Sequence, residues 1–234
     1  MSIKKVLLVA ATLREVENIA LALDCSPSAV VESARSFQLY RGERVDCLIT
    51  GVGQFFTTLA LTTTLIHNNY GAAVQAGIGG SFSGDYPIGS VVSVVEDAFA
   101  DCGAETRDGF LDLFEMGLWN PEQSPFSKGM VLQQPSSIQE ATKLPSVRGV
   151  TVNRTLSTDA NISWISERFS PVTVSMEGAP FLYMCAHFGI SCLQVRAISD
   201  RVGPRNKESW DIPSAIGALQ EPVCECIEMI LGSV

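Results

Sequence analysis

The sequence predicts an α/β fold: one domain over residues 1–234, with a mixed, twisted and partly barrel-like central sheet flanked by helices. Three observations predict it. Short apolar, β-branched runs alternate with segments of helical periodicity, the pattern of strands that feed helices packed on a sheet. A hairpin and long apolar strands interrupt that alternation, which mixes strand directions and curls the sheet. The 234 residues, 46% of them hydrophobic, suffice for one large core.

Lys5 to Ala10 is a continuous apolar run and reads as a buried first strand. Thr12 to Leu23 follows as a helix with Val16, Ile19, Ala20 and Leu23 on one face, so Glu15 falls in its first turn, just past the strand's carboxyl end. Ser36 to Tyr40 and Arg44 to Thr50 form a hairpin across Arg41-Gly42-Glu43, and Gly51-Val52-Gly53 leads into a helix from Gln54 to Asn68. Ala72 to Ala76 is the next buried strand. The glycines of Gly77-Ile78-Gly79-Gly80-Ser81 then let backbone N–H groups approach a ligand, but their spacing is not that of a dinucleotide fold. Gly89 to Ala100 is a long strand, and Cys102 to Pro135 reads as a long irregular segment, a lid or an interface.

Val147 to Leu156 is a strand, and Ser157-Thr158-Asp159 starts a helix from Asn161 to Phe169. Val172 to Ser175 is a short strand ending near Glu177. An apolar helix and a second apolar strand ending at Asp200 follow. After the charged loop from Arg201 to Asp211, a helix from Ile212 to Leu231 repeats Ala215, Leu219, Val223, Ile227 and Ile230 at helical spacing. Two acids at the carboxyl ends of neighbouring strands mark a crevice where open α/β sheets bind ligands.

Composition excludes several classes. A net charge of −9 and a pI near 4.7 argue against nucleic acid as a partner. No apolar run reaches membrane-spanning length, and the N-terminal run leads into the charged LREVEN rather than a cleavage site. Seven scattered cysteines fit reduced, buried thiols in a cytoplasmic protein, and Cys224 and Cys226, two apart with no histidine nearby, make no zinc site. His67 and His187 are assigned no role. No metal or cofactor is expected.

Ser175-Met176-Glu177-Gly178-Ala179 followed by Val195-Arg196-Ala197-Ile198-Ser199-Asp200 resembles the S/E-M-E-x-A and R-A-I-S-D signature of the purine and uridine phosphorylase superfamily, in its hydrolytic branch. Ala11-Thr12-Leu13-Arg14-Glu15-Val16 is similar to the A-M-x-x-E-V of 5′-methylthioadenosine/S-adenosylhomocysteine nucleosidases, and Gly51-Val52-Gly53 and Gly77-Ile78-Gly79-Gly80 fall at the family's glycine turns. Arg205-Asn206 with Trp210 and Ile212 resembles the R-N-x-x-x-W-x-I stretch of futalosine hydrolases. The likeness is weakest between Cys102 and Val147.

The resemblance implies a nucleoside phosphorylase-like fold, a homo-oligomer, and cleavage by water of a purine nucleoside's N-glycosidic bond. In the roles it implies, Asp200 protonates N7 of the leaving base, Glu15 activates the water attacking C1′, and Glu177 accepts hydrogen bonds from the ribose, with Met176 beneath the sugar. Ser199 has two readings, fixing Asp200 or simply forming a turn. Arg196 also has two: binding ligand, or pairing with a buried carboxylate. Arg205 and Asn206 are placed to meet the carboxylate of futalosine's benzoate end.

The chain departs from the family at two places. Asn161 stands where an aromatic covers the base, which shifts stacking to Phe82 or Trp164, and Gly77 replaces a serine hydroxyl near the water or ribose. Asp200 is the acid typical of enzymes acting on 6-amino purines, which leaves the choice between 6-oxo and 6-amino substrates open. Phosphorolysis is the nearest rival, and AATLRE lacks the family's phosphate-gripping segment. Arg14, adjacent to Glu15, would point away from the site if Glu15 points in. A non-catalytic nucleoside-binding protein would be expected to lose one of the three acids.

Overall fold

The structure, a computed structural model, describes residues 5–25, 31–34, 37–107, 109–133, 138, 142–203 and 210–232. Its centre is β5 (Ala72–Ser81), which is buried along nearly its whole length. β5 pairs in parallel with β1 (Val6–Ala10), and β1 pairs in parallel with β4 (Val45–Ile49). β3 (Phe37–Tyr40) pairs antiparallel with β4, and β2 (Val31–Ala34) pairs antiparallel with β3, which completes this open, twisted half.

The other half closes on itself. β5 pairs with β12 (Thr173–Ser175), β12 with β11 (Ser146–Thr151), and β11 with β6 (Val91–Asp97). The eleven-residue β13 (Ser191–Arg201) then pairs in parallel with β5 and antiparallel with β6, which closes the ring. Ring closure removes the exposed edges an open sheet would leave.

Helices cover both faces of the open half. α1 (Leu13–Ala22) and α5 (Ile212–Gly232) pack against one another and against a core that includes Val6, Leu8, Val74 and Leu193. α2 (Gln54–His67) and α4 (Gly178–Phe188) cover the opposite face over Leu7, Val9, Leu48 and Ala73. This explains why β1 is buried at every position instead of alternating. α3 (Asp159–Phe169) packs outside the ring through Ile165.

Element boundaries differ from the sequence reading in three places. β5 continues through Gly77, Gly79 and Gly80 to Ser81, because β13 and β12 supply ladder partners that override the glycines' weak strand preference. β11 ends at Thr151 rather than Leu156. The segment after Cys102 is only partly irregular: β7 (Gly103–Thr106) and β8 (Gly109–Asp112) form a separate hairpin, residues 113–125 run without strand or helix, and β9 (Phe126–Ser127) and β10 (Met130–Leu132) extend the main sheet beside β6. Pro135 and Ser36, included in the sequence reading of these regions, lie outside the described residues. Among the described residues no helix is long and apolar enough to cross a membrane, and no group of three or more His, Cys, Asp or Glu could hold a metal. The seven cysteines are free thiols.

Candidate active site

A cavity of about 390 Å³ opens where β1, β5, β12 and β13 end, and Glu15, Glu177 and Asp200 all reach its wall. Each arrives by a different local route. Glu15, in the first turn of α1, accepts hydrogen bonds on Oε2 from the Thr12 backbone N–H (2.9 Å) and hydroxyl (2.8 Å), and on Oε1 from the Ile78 N–H (3.2 Å). The first two satisfy the helix start, a capping arrangement the pattern T-x-x-E encodes. The third ties the carboxylate to β5.

Glu177 is the N-cap of α4, buried at the end of β12. Its Oε1 accepts from the Gly53 N–H at 2.9 Å, while Oε2 lies 3.8 Å from Arg196 Nη1. Burial raises its pKa, partly offset by the Arg196 charge and the Gly53 N–H, and the Glu15 charge adds to the rise. Asp200 emerges from β13 just after a register shift between Ile198 and Asp200. Such a bulge re-aims a side chain. Asp200 Oδ1 accepts from the Ser199 hydroxyl at 2.7 Å. Burial raises the Asp200 pKa too, with the Ser199 bond opposing it.

The remaining sequence candidates divide by position. Met176 and Ser199 line the cavity, with Gly79 and Gly80 beside Asp200. Gly77 and Arg196 lie beneath the wall rather than on it. A β-carbon at Gly77 would sit 2.6 Å from Arg196 Nη1 and 3.0 Å from Glu15 Oε1. The guanidinium thus occupies the space a serine side chain would take, and a larger residue at 77 would have to displace it. Of the two readings open to Arg196, the geometry matches the partner of a buried carboxylate.

Phe82 and Asn161 are not on the wall. Phe82 packs into the layer formed by Ala98, Val150 and Leu156, and Asn161 sits half-buried on α3. Trp164 is likewise engaged elsewhere, edge-on to Phe110 and Phe169 with the Arg168 guanidinium over its ring. The aromatic on the wall is Trp210, from the stretch before α5. Arg205, and Asn206 with it, lies outside the described residues.

The sequence reading turned Arg14 away from the site if Glu15 points in, and this is corrected: both line the cavity, because a long exposed side chain can reach across the roughly 100° that separates neighbouring helical positions. Arg201, which escaped the sequence reading, lines it as well. Val52, Ile212 and Ile216 give the wall an apolar part. Such a wall offers acceptors to a hydroxylated ligand, positive charge at Arg14 and Arg201 to an acidic group, and an apolar flank to a longer arm.

A model of the phosphorylase superfamily matches residues 5–231. The chain is 30% identical to the futalosine hydrolase of Acidothermus cellulolyticus, over 94% of this chain and 88% of that one. It is 33% identical to the futalosine hydrolase of Streptomyces coelicolor over 66% of this chain, a match that spans 64% of the Streptomyces protein. Among solved structures, the native futalosine hydrolase of Helicobacter pylori superposes with a TM-score of 0.79 at 15% identity, covering 99% of both chains. A mutant nucleosidase from the same organism, with 5′-methylthioadenosine in its active site, superposes with a TM-score of 0.80 at 14% identity, covering 96% of this chain and 98% of that one.

Proposed function

The chain belongs to the phosphorylase superfamily, and from that premise we propose that it hydrolyses the N-glycosidic bond of futalosine, releasing hypoxanthine. The observation that carries this reading is the convergence of Glu15, Glu177 and Asp200, far apart in sequence, on one cavity. Identity to two futalosine hydrolases at 30% or above supports the choice of substrate.

Purine departure requires a proton on the base, because an anionic purine is a poor leaving group. Asp200 suits this proton transfer. Half-buried, with a raised pKa and one oxygen held by Ser199, it delivers its proton to N7 as the C1′–N9 bond breaks. The developing oxocarbenium charge on the sugar lies among carboxylates, which stabilise it electrostatically. Glu15, held by Thr12 and Ile78, takes the proton of the water that bonds to C1′. The turnover ends with Glu15 protonated and Asp200 ionised, and exchange with solvent resets both. Glu177 has lone pairs left after Gly53, and these accept the ribose hydroxyls, with Met176 against the sugar.

The acidic benzoate arm of futalosine has cationic partners available on the wall in Arg14 and Arg201. A methylthio arm would leave them without a counter-charge, which favours futalosine over methylthioadenosine. One chromatographic assay tests the reading: futalosine, aminofutalosine, methylthioadenosine and inosine are each incubated without phosphate. Hypoxanthine released from futalosine at the highest specificity constant is expected, and faster adenine release from methylthioadenosine would overturn it.

The protein self-associates in this reading. Phe55, Phe56, Leu59 and Ile66 project from α2, with Phe55 71% and Ile66 61% exposed, a cost in water that a second copy would remove. Light scattering on the purified protein checks this, and a monomer at micromolar concentration would overturn it.

A further inference from the structure

We propose that Asp97 is a positioning residue for Glu177, acting through a buried hydrogen-bonded chain, Asp97 to Gln194 to Arg196, beneath the cavity floor. The inference rests on the reading that Glu177 receives the ribose hydroxyls. None of the three chain members lies on the cavity wall, and each is at most 1% exposed.

The direction of the chain is dictated by donor inventory. A guanidinium can only donate. Arg196 Nε donates to Gln194 Oε1 at 3.1 Å, which turns the Gln194 amide so that its Nε2 faces away from Arg196. That N–H then needs an acceptor in a place water does not reach, and Asp97 Oδ2 supplies it at 3.2 Å. The other oxygen, Asp97 Oδ1, accepts from the Thr151 hydroxyl at 2.9 Å. Thr151 Oγ1 in turn accepts the Ala179 N–H at 2.7 Å, in the first turn of α4.

Asp97 therefore reaches Glu177 from two sides. Through Gln194 it orients the guanidinium that faces the Glu177 carboxylate at 3.8 Å. Through Thr151 it holds the start of the helix that Glu177 caps. Arg196 is further fixed by Gln75, whose Oε1 accepts from Nη2 at 2.7 Å and whose Nε2 donates to the Glu177 backbone carbonyl at 3.3 Å. The cluster closes tightly, since a β-carbon on Gly178 would overlap Asp97 Oδ2 and Gln194 Oε1.

Stability alone does not account for the arrangement. Burying a carboxylate beside a guanidinium rarely stabilises more than apolar packing of equal volume. Here burial pushes the Asp97 pKa up to about 6, against the opposing pull of Thr151, Gln194 and Arg196. What the carboxylate supplies is two acceptors at fixed points, so that every donor along the chain has one orientation. An amide at position 97 would offer one acceptor and one donor, leaving the Gln194 or the Thr151 link mismatched.

The test compares wild type, Asp97→Asn and Gln194→Met on futalosine and on its 2′-deoxy analogue, with circular dichroism to verify folding. The expected result is a fall of about tenfold or more in kcat/KM on futalosine, and less than about threefold on the analogue lacking the hydroxyl. On a Glu177→Gln background, adding Asp97→Asn should cost little further, since the two act in one path. Equal losses on both substrates, or full additivity with Glu177→Gln, would overturn the proposal. Gln194→Met, which removes hydrogen bonds without touching a charge, decides the matter if Asp97→Asn does not fold. A wild-type enzyme that does not discriminate between the substrates would overturn the Glu177 assignment, and this inference with it.

Discussion

Of two cavities among the described residues, the smaller is the better candidate for chemistry. The larger, about 810 Å³, lies between the segment carrying β7 to β10 and the body of the fold. It is rich in charge, but its charges answer one another: Arg168 pairs with Asp112 and Glu115, and Arg148 with Glu96. Phe114 and Phe126 stack edge-on within its lining. In the smaller cavity, three carboxylates share one wall, two of them with pKa values raised by burial. Closely paired charges spend their interaction on each other, while acids on a low-dielectric wall, where Glu177 faces Arg196 only at 3.8 Å, remain available to a ligand. Volume alone would have chosen the larger cavity instead.

Substitutions can sharpen or break this contrast. The largest effect is expected from Asp200→Asn and Glu15→Gln, each lowering kcat by about 10²- to 10⁴-fold in a phosphate-free futalosine assay while the fold survives. A loss below about threefold would strip the smaller cavity of its role. Acid–base behaviour gives a second contrast. In the proposed mechanism Asp200 reacts in its protonated form; with its pKa raised, kcat/KM should fall by about tenfold per pH unit once pH exceeds that pKa. In Asp200→Asn the residual rate should lose this alkaline limb, and an unchanged limb would assign it to another group.

Arg14→Ala is expected to lower kcat/KM for futalosine by about tenfold while sparing inosine, which has no acidic arm. Equal effects on both would remove the guanidinium from substrate recognition. The smallest effect belongs to the larger cavity. Arg168→Ala, which cuts a partly exposed pair of salt bridges, should cost about 1 kcal/mol of stability or less in denaturant titration and leave kcat/KM unchanged. An activity loss matching that of Arg14→Ala would mean that the two cavities are not separate in function.

Much of this contrast was legible in the chain. Glu177 and Asp200 stand at strand ends that the apolar runs mark, and Glu15 follows the first strand within one helical turn. Those are local relations, and local relations survive in one dimension. The aromatic partner was not legible: Phe82 and Trp164 were the candidates, and both turn into packing elsewhere, while Trp210 reaches the wall. Nor was the segment after Cys102, where β10 pairs with the end of β6, β9 pairs with β10, and β7 and β8 pair with one another.

The sequence by itself determined the alternating α/β order, the superfamily signatures and the strand ends where the acids sit, because periodicity and short motifs are properties of neighbouring residues. Only the tertiary structure decided that β13 closes a ring between β5 and β6, that Arg196 takes the space left by Gly77, and that Asp97 and Gln194 stand behind Glu177. Those are contacts between segments tens of residues apart, fixed by packing and donor–acceptor matching that no stretch of chain carries alone.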